Sequence, residues 1–243
     1  MKKGLNCQAL FTICYLLREK DGMVSNAEPS MTGWIEIDLS ALGHNLQVFQ
    51  QKISSGTGLM AVVKSDAYGH GLVRVAKELL RLKAAALGVA SVEEGLRIRK
   101  NVSPSIPVIV LLGPREEECA LCLDHRLTPV VYTLAVVREL DRLARERKIK
   151  ARVHLKVDTG MGRLGVLWTE FPAFLAETRR LKNVKICGLS SHFARADEKG
   201  HPYNRLQWKR YQATLEAARE AGLRLTENHA ANSAAALNHP PAH

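Results

Sequence analysis

Short apolar segments alternate with longer amphipathic segments along most of the chain. Runs of apolar residues predict strands at 34–38, 59–63, 85–90, 107–112, 129–132, 153–157, 184–189 and 223–225. Apolar residues at helical spacing predict helices from 40 to 49, with Ser40 as cap, and at 72–82, 92–99, 116–123, 134–147, 170–181 and 205–221. This alternation indicates parallel strands covered by helices.

The number of these units narrows the fold class. Counted from Leu59, the chain contains seven strand–helix units, one fewer than a (β/α)8 barrel requires. The spacing alone does not separate a closed barrel from an open doubly wound sheet, but no GxGxxG sequence follows a strand, which disfavours a dinucleotide-binding sheet. We therefore predict a (β/α)8 barrel without its last strand, formed by residues 31–243 and without an interdomain linker.

The first thirty residues have a different pattern. Two lysines precede an apolar run at 7–17, as in a signal peptide. However, that run is short, contains Gln8 and is not followed by a small-x-small cleavage site. We treat residues 1–30 as an extension and prefer Met31 as the natural beginning of the domain.

Composition and charge exclude several classes of protein. Hydrophobic residues make up 46% and charged residues 24%, which is ordinary for a globular protein, and no apolar run approaches the ~20 residues of a membrane span. The net charge of +11 is spread over helix-like stretches such as 139–148, where basic and acidic residues alternate. Such stretches are typical of solvated helix faces. We predict no nucleic-acid or membrane partner, and the charge equally suits anionic metabolites.

The cysteines do not indicate a metal or redox centre. Cys119 and Cys122 have the CxxC spacing, but no second pair or histidine partner is nearby. We predict that they lie on a buried helix face, and we predict no metal site.

Catalytic and ligand-binding residues in such a fold lie at the carboxyl ends of the strands. Lys64 directly follows the apolar strand 59–63, where burial would lower the pKa of its amine and favour the nucleophilic form. The alternative is a lysine that extends from the strand end to solvent. The loop 65–71 contains two glycines and precedes a helix, whose amino terminus suits a phosphate group.

Three further strand ends carry polar residues. Lys156 precedes a loop with three glycines and Arg163, a residue suited to bind a carboxylate or phenolate or to pair with Asp158. His192 follows the strand 184–189, where a lone histidine is more often structural. Ser233 is a natural N-cap for the helix that begins there, and a phosphate would use the same geometry.

These segments, taken in order, resemble the alanine racemase family. The motifs are WIEIDLSALGHN (34–45), AVVKSDAYGHG (61–71), KVDTGMGRLG (156–165), SHFARAD (191–197) and HAANSAAAL (229–237). The second motif departs slightly from the family at Ser65-Asp66. The resemblance extends from about Met31 to the end of the chain.

The resemblance implies specific roles for the site residues. The barrel would bind pyridoxal 5'-phosphate as an imine to the catalytic Lys64. Tyr68, Asn232 and Ser233 would contact the phosphate. Arg163 would contact the phenolic oxygen and the substrate carboxylate, and His192 would lie beside the ring. Lys156 would be carbamylated and bonded to Arg163.

The implied activity is interconversion of L-alanine and D-alanine by two bases, which supplies D-alanine for peptidoglycan in the bacterial cytoplasm. In the family the second base is a tyrosine from the C-terminal β domain of the partner subunit, so a homodimer is expected. That domain, and the arginine that faces the pyridine nitrogen, would lie beyond His243. We therefore expect an incomplete version of the enzyme, with a free barrel edge that favours aggregation.

Two alternatives remain open from the sequence. One is a pyridoxal-phosphate carrier without racemase activity, which the length of the chain supports. The other is a racemase for serine or another amino acid.

Overall fold

The computed structural model describes residues 6–12 and 35–242. The strands are β1 (Asn6–Thr12), β2 (Thr57–Val62), β3 (Ala86–Val89), β4 (Val108–Val110), β5 (Thr128–Val131), β6 (Ala151–Asp158), β7 (Val166–Leu167) and β8 (Val184–Ser190). The helices are α1 (Leu39–Lys52), α2 (Lys64–Tyr68), α3 (Leu72–Arg81), α4 (Val92–Asn101), α5 (Cys119–Asp124), α6 (Leu134–Glu146), α7 (Phe171–Arg180), α8 (Pro202–Glu220) and α9 (Ser233–Asn238), with short 3-10 turns at Glu116–Glu118 and Pro240–Ala242.

A curled parallel sheet lies at the centre, and helices cover it. The order runs from β1 through β6, and β6 then pairs with β8 along Ala151–Lys156 and with β7 at its last two residues. Strands β3, β4 and β5 are buried at every position, as expected for parallel strands that helices cover. The predicted barrel-type α/β fold is therefore confirmed.

The helices pack through one apolar face each. In α3 the buried residues Leu72, Val75, Ala76 and Leu79 follow the three- and four-residue spacing of one helical face. The same spacing places Val137, Leu140, Leu143 and Ala144 of α6 in the core. These faces bury apolar side chains in the core between the helices and the sheet.

Strand β1 comes from the predicted extension and pairs with β2 in parallel, with Leu10 opposite Met60 and Phe11 opposite Ala61. It occupies one edge of β2, in a sheet for which we predicted a free edge. The unpaired backbone groups of an edge strand favour such an addition. This strand was not predicted from the sequence. The remaining predictions for the first thirty residues lie outside the described part of the chain.

Two predicted strands and one predicted cap are wrong. Residues 35–38 have no regular structure, and Asp38 caps α1 in place of Ser40, because its Oδ1 accepts the backbone N–H of Ser40 at 2.8 Å and of Ala41 at 3.2 Å. Residues 223–225 are also irregular. The chain instead reaches the sheet at His229, which forms an isolated parallel bridge with Ser190.

The CxxC cysteines are buried, as predicted. Cys119 and Cys122 have no exposed surface, and burial raises the pKa of each thiol to about 12. The described residues contain no group of three or more side chains arranged to hold a metal ion. Within the same residues, no helix is long and apolar enough to cross a membrane.

Three helices end with a basic residue in a left-handed conformation: Lys83 after α3, Arg126 after α5 and Lys148 after α6. Lys148, with φ of 54°, donates its backbone N–H to the carbonyl of Arg145 at 3.1 Å. Glycine usually occupies this position because it adopts positive φ without a steric cost. The lysine therefore carries local backbone strain.

Replacing Lys148 with glycine should stabilise the chain. We expect a gain of about 1 kcal/mol in the free energy of unfolding and a rise in melting temperature of roughly 2–4 °C, measured by circular dichroism. Lys148→Ala is the matched control, because it removes the charge and keeps Cβ. An equal gain in the alanine variant would contradict the strain explanation.

Candidate active site

Four of the predicted site residues cluster at the carboxyl ends of the strands. Lys64 follows β2, Lys156 lies near the end of β6, His192 follows β8, and Arg163 lies in the loop between β6 and β7. Burial and the nearby charges of Arg163 and Lys64 lower the pKa of Lys156 to about 8. Burial and the charges of Lys156, Arg163 and Lys64 lower the pKa of His192 to about 4. The four side chains thus share one electrostatic environment, with His192 neutral at pH 7.

The segment after Lys64 forms a left-handed helical turn. Ser65, Asp66, Ala67 and Tyr68 all have φ between 52° and 56°. A left-handed conformation costs roughly 1–2 kcal/mol for each residue with a side chain. Four such residues in succession make this the most strained segment of the described backbone, and it lies directly beside the lysine.

Tyr68 ends this turn close to Lys64. The Nζ atom of Lys64 lies 5.9 Å from the centroid of the Tyr68 ring. Both side chains are partly buried. The turn therefore places a lysine and a phenol close together at one end of the sheet.

The glycine-rich loop after β6 is organised by Asp158. Its carboxylate accepts the backbone N–H groups of Gly160, Met161 and Gly162 at 2.7–3.2 Å. It therefore serves the loop backbone rather than Arg163, which is exposed. Gly165, at φ of 126°, lies so near β6 that a Cβ would come within 2.6 Å of the Asp158 nitrogen. Only glycine fits where the loop comes back against β6.

Asn232, not Ser233, caps α9. Its Oδ1 accepts the backbone N–H of Ala235 at 2.9 Å, and Ser233 is the first residue of the helix. The prediction of Ser233 as the N-cap is therefore wrong. Both residues follow His229, which is joined to the end of β8, so they lie on the same side of the sheet as His192.

A buried network below the site was missed by the sequence analysis. His154 of β6 bonds through Nδ1 to Nε2 of His229 at 3.0 Å and through Nε2 to the carboxylate of Glu227 at 3.0 Å. Arg152 also pairs with Glu227. Burial, followed by the charges of His154, Lys156 and His192, lowers the pKa of His229 well below its usual value. The buried ring is therefore neutral.

The direction of one of these hydrogen bonds follows from the carboxylate. Because ionised Glu227 only accepts, Nε2 of His154 donates to it. Nδ1 of His154 lies 3.0 Å from Nε2 of His229, and Nδ1 of His229 lies 3.4 Å from the Ser190 hydroxyl. The network thus extends from Arg152, near the start of β6, to Ser190, the last residue of β8.

The comparison with known proteins gives the same assignment as the motifs. The family model described as alanine racemase, N-terminal domain, matches residues 37–243, most of the chain. The chain belongs to the alanine racemase family. The alanine racemase of Citrifermentans bemidjiense is 44% identical over 208 residues, which cover 84% of this chain and 55% of that protein.

Solved structures of the family have the same fold. An alanine racemase structure from Clostridium difficile 630 has a TM-score of 0.83 at 32% identity and covers 88% of this chain and 59% of that chain. A second structure of that protein, in complex with cycloserine, has a TM-score of 0.77 at 32% identity, over 80% and 54% of the two chains. The present chain thus spans about half the length of the relatives that it matches.

A cavity with a partly apolar lining lies away from these strand ends. It measures about 620 Å³, and its lining includes Ala85, Pro107, Thr128 and Arg152, which precede or begin strands. It therefore opens at the amino ends of the strands. Lys64, Lys156 and His192 are not among its lining residues.

Replacing Lys156 with methionine should stabilise the chain at pH 7. The pKa of Lys156 is about 8 in the folded chain against 10.5 for an ordinary lysine, so its protonated form opposes folding. This cost is complete below pH 8 and disappears as the pH rises toward 10.5. We expect a gain on the order of 1–3 kcal/mol at pH 7 that vanishes at high pH, measured by urea unfolding across this range. The exposed Lys77→Met variant is the control, and a gain independent of pH would contradict the assignment.

Replacing Glu227 with glutamine should destabilise the chain by about 1–3 kcal/mol at pH 7, because it leaves His154 and Arg152 without their carboxylate. Burial alone would raise the pKa of Glu227, but the bond from His154 and the charges of His154 and Arg152 lower it below 4.5. Its contribution is therefore present above pH 4.5 and is lost as the pH falls through the lower folded pKa. Urea unfolding at pH 7 and again in acid, below the folded pKa of Glu227, tests this prediction. The exposed Glu220→Gln variant is the control. An undiminished difference in acid would contradict it.

Proposed function

We propose that this chain forms the cofactor-binding part of an alanine racemase that uses pyridoxal 5'-phosphate. The observation that carries the proposal is the cluster of Lys64, Lys156, Arg163 and His192 at one end of the parallel sheet, in a chain of this family. The finer assignments are part of the same proposal. They are alanine as substrate, a homodimer as the active form, and cytoplasmic supply of D-alanine for the cell wall.

The chemistry of the site fits this cofactor. Lys64, Lys156 and Arg163 bring positive charge together, and the nearby carboxylate of Asp158 is engaged by backbone amides. A site with such a surplus of positive charge suits a phosphate ester and an amino-acid carboxylate. When bound, pyridoxal phosphate supplies an electron sink for the charge that develops at the α-carbon of an amino acid.

The residues of the chain would have separate roles in binding and proton transfer. Lys64 would hold the cofactor and move a proton at the α-carbon through Nζ on one face. Tyr68, Asn232 and Ser233 would hold the phosphate. Arg163 would orient the substrate carboxylate, and a tyrosine of the partner subunit's C-terminal domain would serve the opposite face.

His192 would lie beside the ring as a neutral side chain. Its lowered pKa of about 4 supports this role, because a neutral imidazole adds no further positive charge to the cluster. It would contact the ring and help to exclude water from one side of the pocket.

Lys156 is suited to carbamylation. Its lowered pKa gives it a substantial fraction of neutral amine near pH 8. A neutral amine attacks carbon dioxide, forming an N–C bond and releasing one proton, and the resulting carbamate is an anion. Such an anion would pair with Arg163 and reduce the repulsion among the three cations.

The cofactor site is tested by trapping. Pyridoxal phosphate added to the purified chain should give a visible absorption band, and borohydride reduction should attach the cofactor to Lys64, identified by peptide mass spectrometry. Lys64→Ala should abolish the band, whereas Lys77→Ala, an exposed lysine of α3, should retain it. Labelling spread over surface lysines would overturn the assignment of Lys64.

The reaction itself is tested by exchange of the α-proton. The chain, combined with a C-terminal domain of the family if it is inactive alone, should incorporate solvent deuterium into alanine and convert L-alanine to D-alanine. Deuterium uptake into serine at an equal rate would favour the broader racemase. Cofactor binding without exchange in the combined protein would favour a carrier.

A further inference from the structure

The left-handed turn after Lys64 is held by a residue from the next strand–helix unit. Glu94 lies in the first turn of α4, and its Oε1 accepts the backbone N–H of Ser65 at 2.5 Å. Its Oε2 accepts the backbone N–H of Ala90 at 2.7 Å. One carboxylate therefore joins the ends of β2 and β3, which are neighbours in the sheet.

This use of Glu94 departs from its local sequence pattern. Ser91 caps α4, and Glu94 stands three residues later, as in a capping box. In a capping box the glutamate bonds to the N–H of the cap residue itself. Here both of its oxygens serve other amides, one of them 29 residues away.

A second contact from α4 secures the same turn. Arg97, one helical turn after Glu94, donates to Oδ1 of Asp66 at 3.0 Å. The same oxygen accepts the backbone N–H of Leu72 at 3.1 Å, at the beginning of α3. The turn is thus held at Ser65 by the carboxylate of Glu94. It is held at Asp66 by the contacts of its own carboxylate with Arg97 and with the backbone of Leu72.

We propose that Glu94 is a positioning residue for Lys64 and that its carboxylate holds the left-handed turn which directs Lys64 and Tyr68 into the site. The peptide N–H that it binds belongs to the unit immediately after Lys64, so the bond fixes the backbone from which the lysine side chain extends. The inference rests on the proposed function as far as the cofactor is concerned. The hold on the turn is independent of any ligand.

Hydrogen exchange tests the hold on the turn without cofactor. In Glu94→Gln, which keeps the size of the side chain but offers only one oxygen, the amides of Ser65, Ala67 and Gly69 should exchange faster in the full chain. The increase should be on the order of ten- to a hundredfold, because a bond to a charged acceptor is lost. Amides of β4 should be unchanged. Glu93→Gln, at the exposed neighbouring position, is the matched control.

Selective trapping tests the consequence for the lysine. Pyridoxal phosphate and borohydride should label Lys64 in the parent and in Glu93→Gln, and labelling of Lys64 relative to other lysines should fall several-fold in Glu94→Gln, with loss of its visible band. A purely structural effect would lower the folded fraction and leave the selectivity of the folded chain intact.

A compensating variant makes the test decisive if Glu94→Gln folds poorly. Glycine at position 65 adopts positive φ without strain, so Ser65→Gly combined with Glu94→Gln should restore part of the selective labelling. Parent-like exchange and labelling in Glu94→Gln would overturn the proposal. Failure of the parent to label at Lys64 would instead contradict the proposed function, and the exchange result alone would then decide the role of Glu94.

Discussion

Parallel hydrogen bonding between consecutive strands is the constraint on which the rest of this structure depends. Because the described strands run in the same direction, the residues at the carboxyl ends of β2, β6 and β8 meet at one end of the sheet. Lys64, Lys156 and His192 are far apart in the chain and still form one electrostatic cluster. The helices contribute by burying the sheet, which makes the strand ends rigid supports for the side chains beyond them.

The site carries two energetic costs, one from like charges and one from backbone strain. Three cationic side chains lie close together, and burial of Lys156 lowers its pKa to about 8. The lysine that would bind the cofactor is followed by four residues in left-handed conformation. Such strain persists only where surrounding contacts impose it, and α4 supplies those contacts through Glu94 and Arg97. Anions bound at the site would offset the charge, whereas the strain is balanced within the chain.

The predictions that failed concern features that local sequence pattern does not decide. Asp38 and Asn232 take the capping positions expected for Ser40 and Ser233, because a cap is decided by backbone geometry and several neighbouring polar residues satisfy the same pattern. The segment 223–225 resembles a short strand, but the chain joins the sheet only at His229, where Gly188 permits the close approach of Glu227. The strand β1 adds to an edge whose partner could not be identified from local pattern.

The sequence by itself determined the strand–helix alternation and the family, because short buried strands and ordered motifs are properties of neighbouring residues. It also determined which strand ends carry polar side chains, including Lys64. Only the tertiary structure decided that residues 65–68 turn left-handed without a glycine, that Glu94 reaches Ser65, and that His154 meets His229. These contacts join residues 29 and 75 positions apart, and their energy depends on distances that exist only once the sheet has curled.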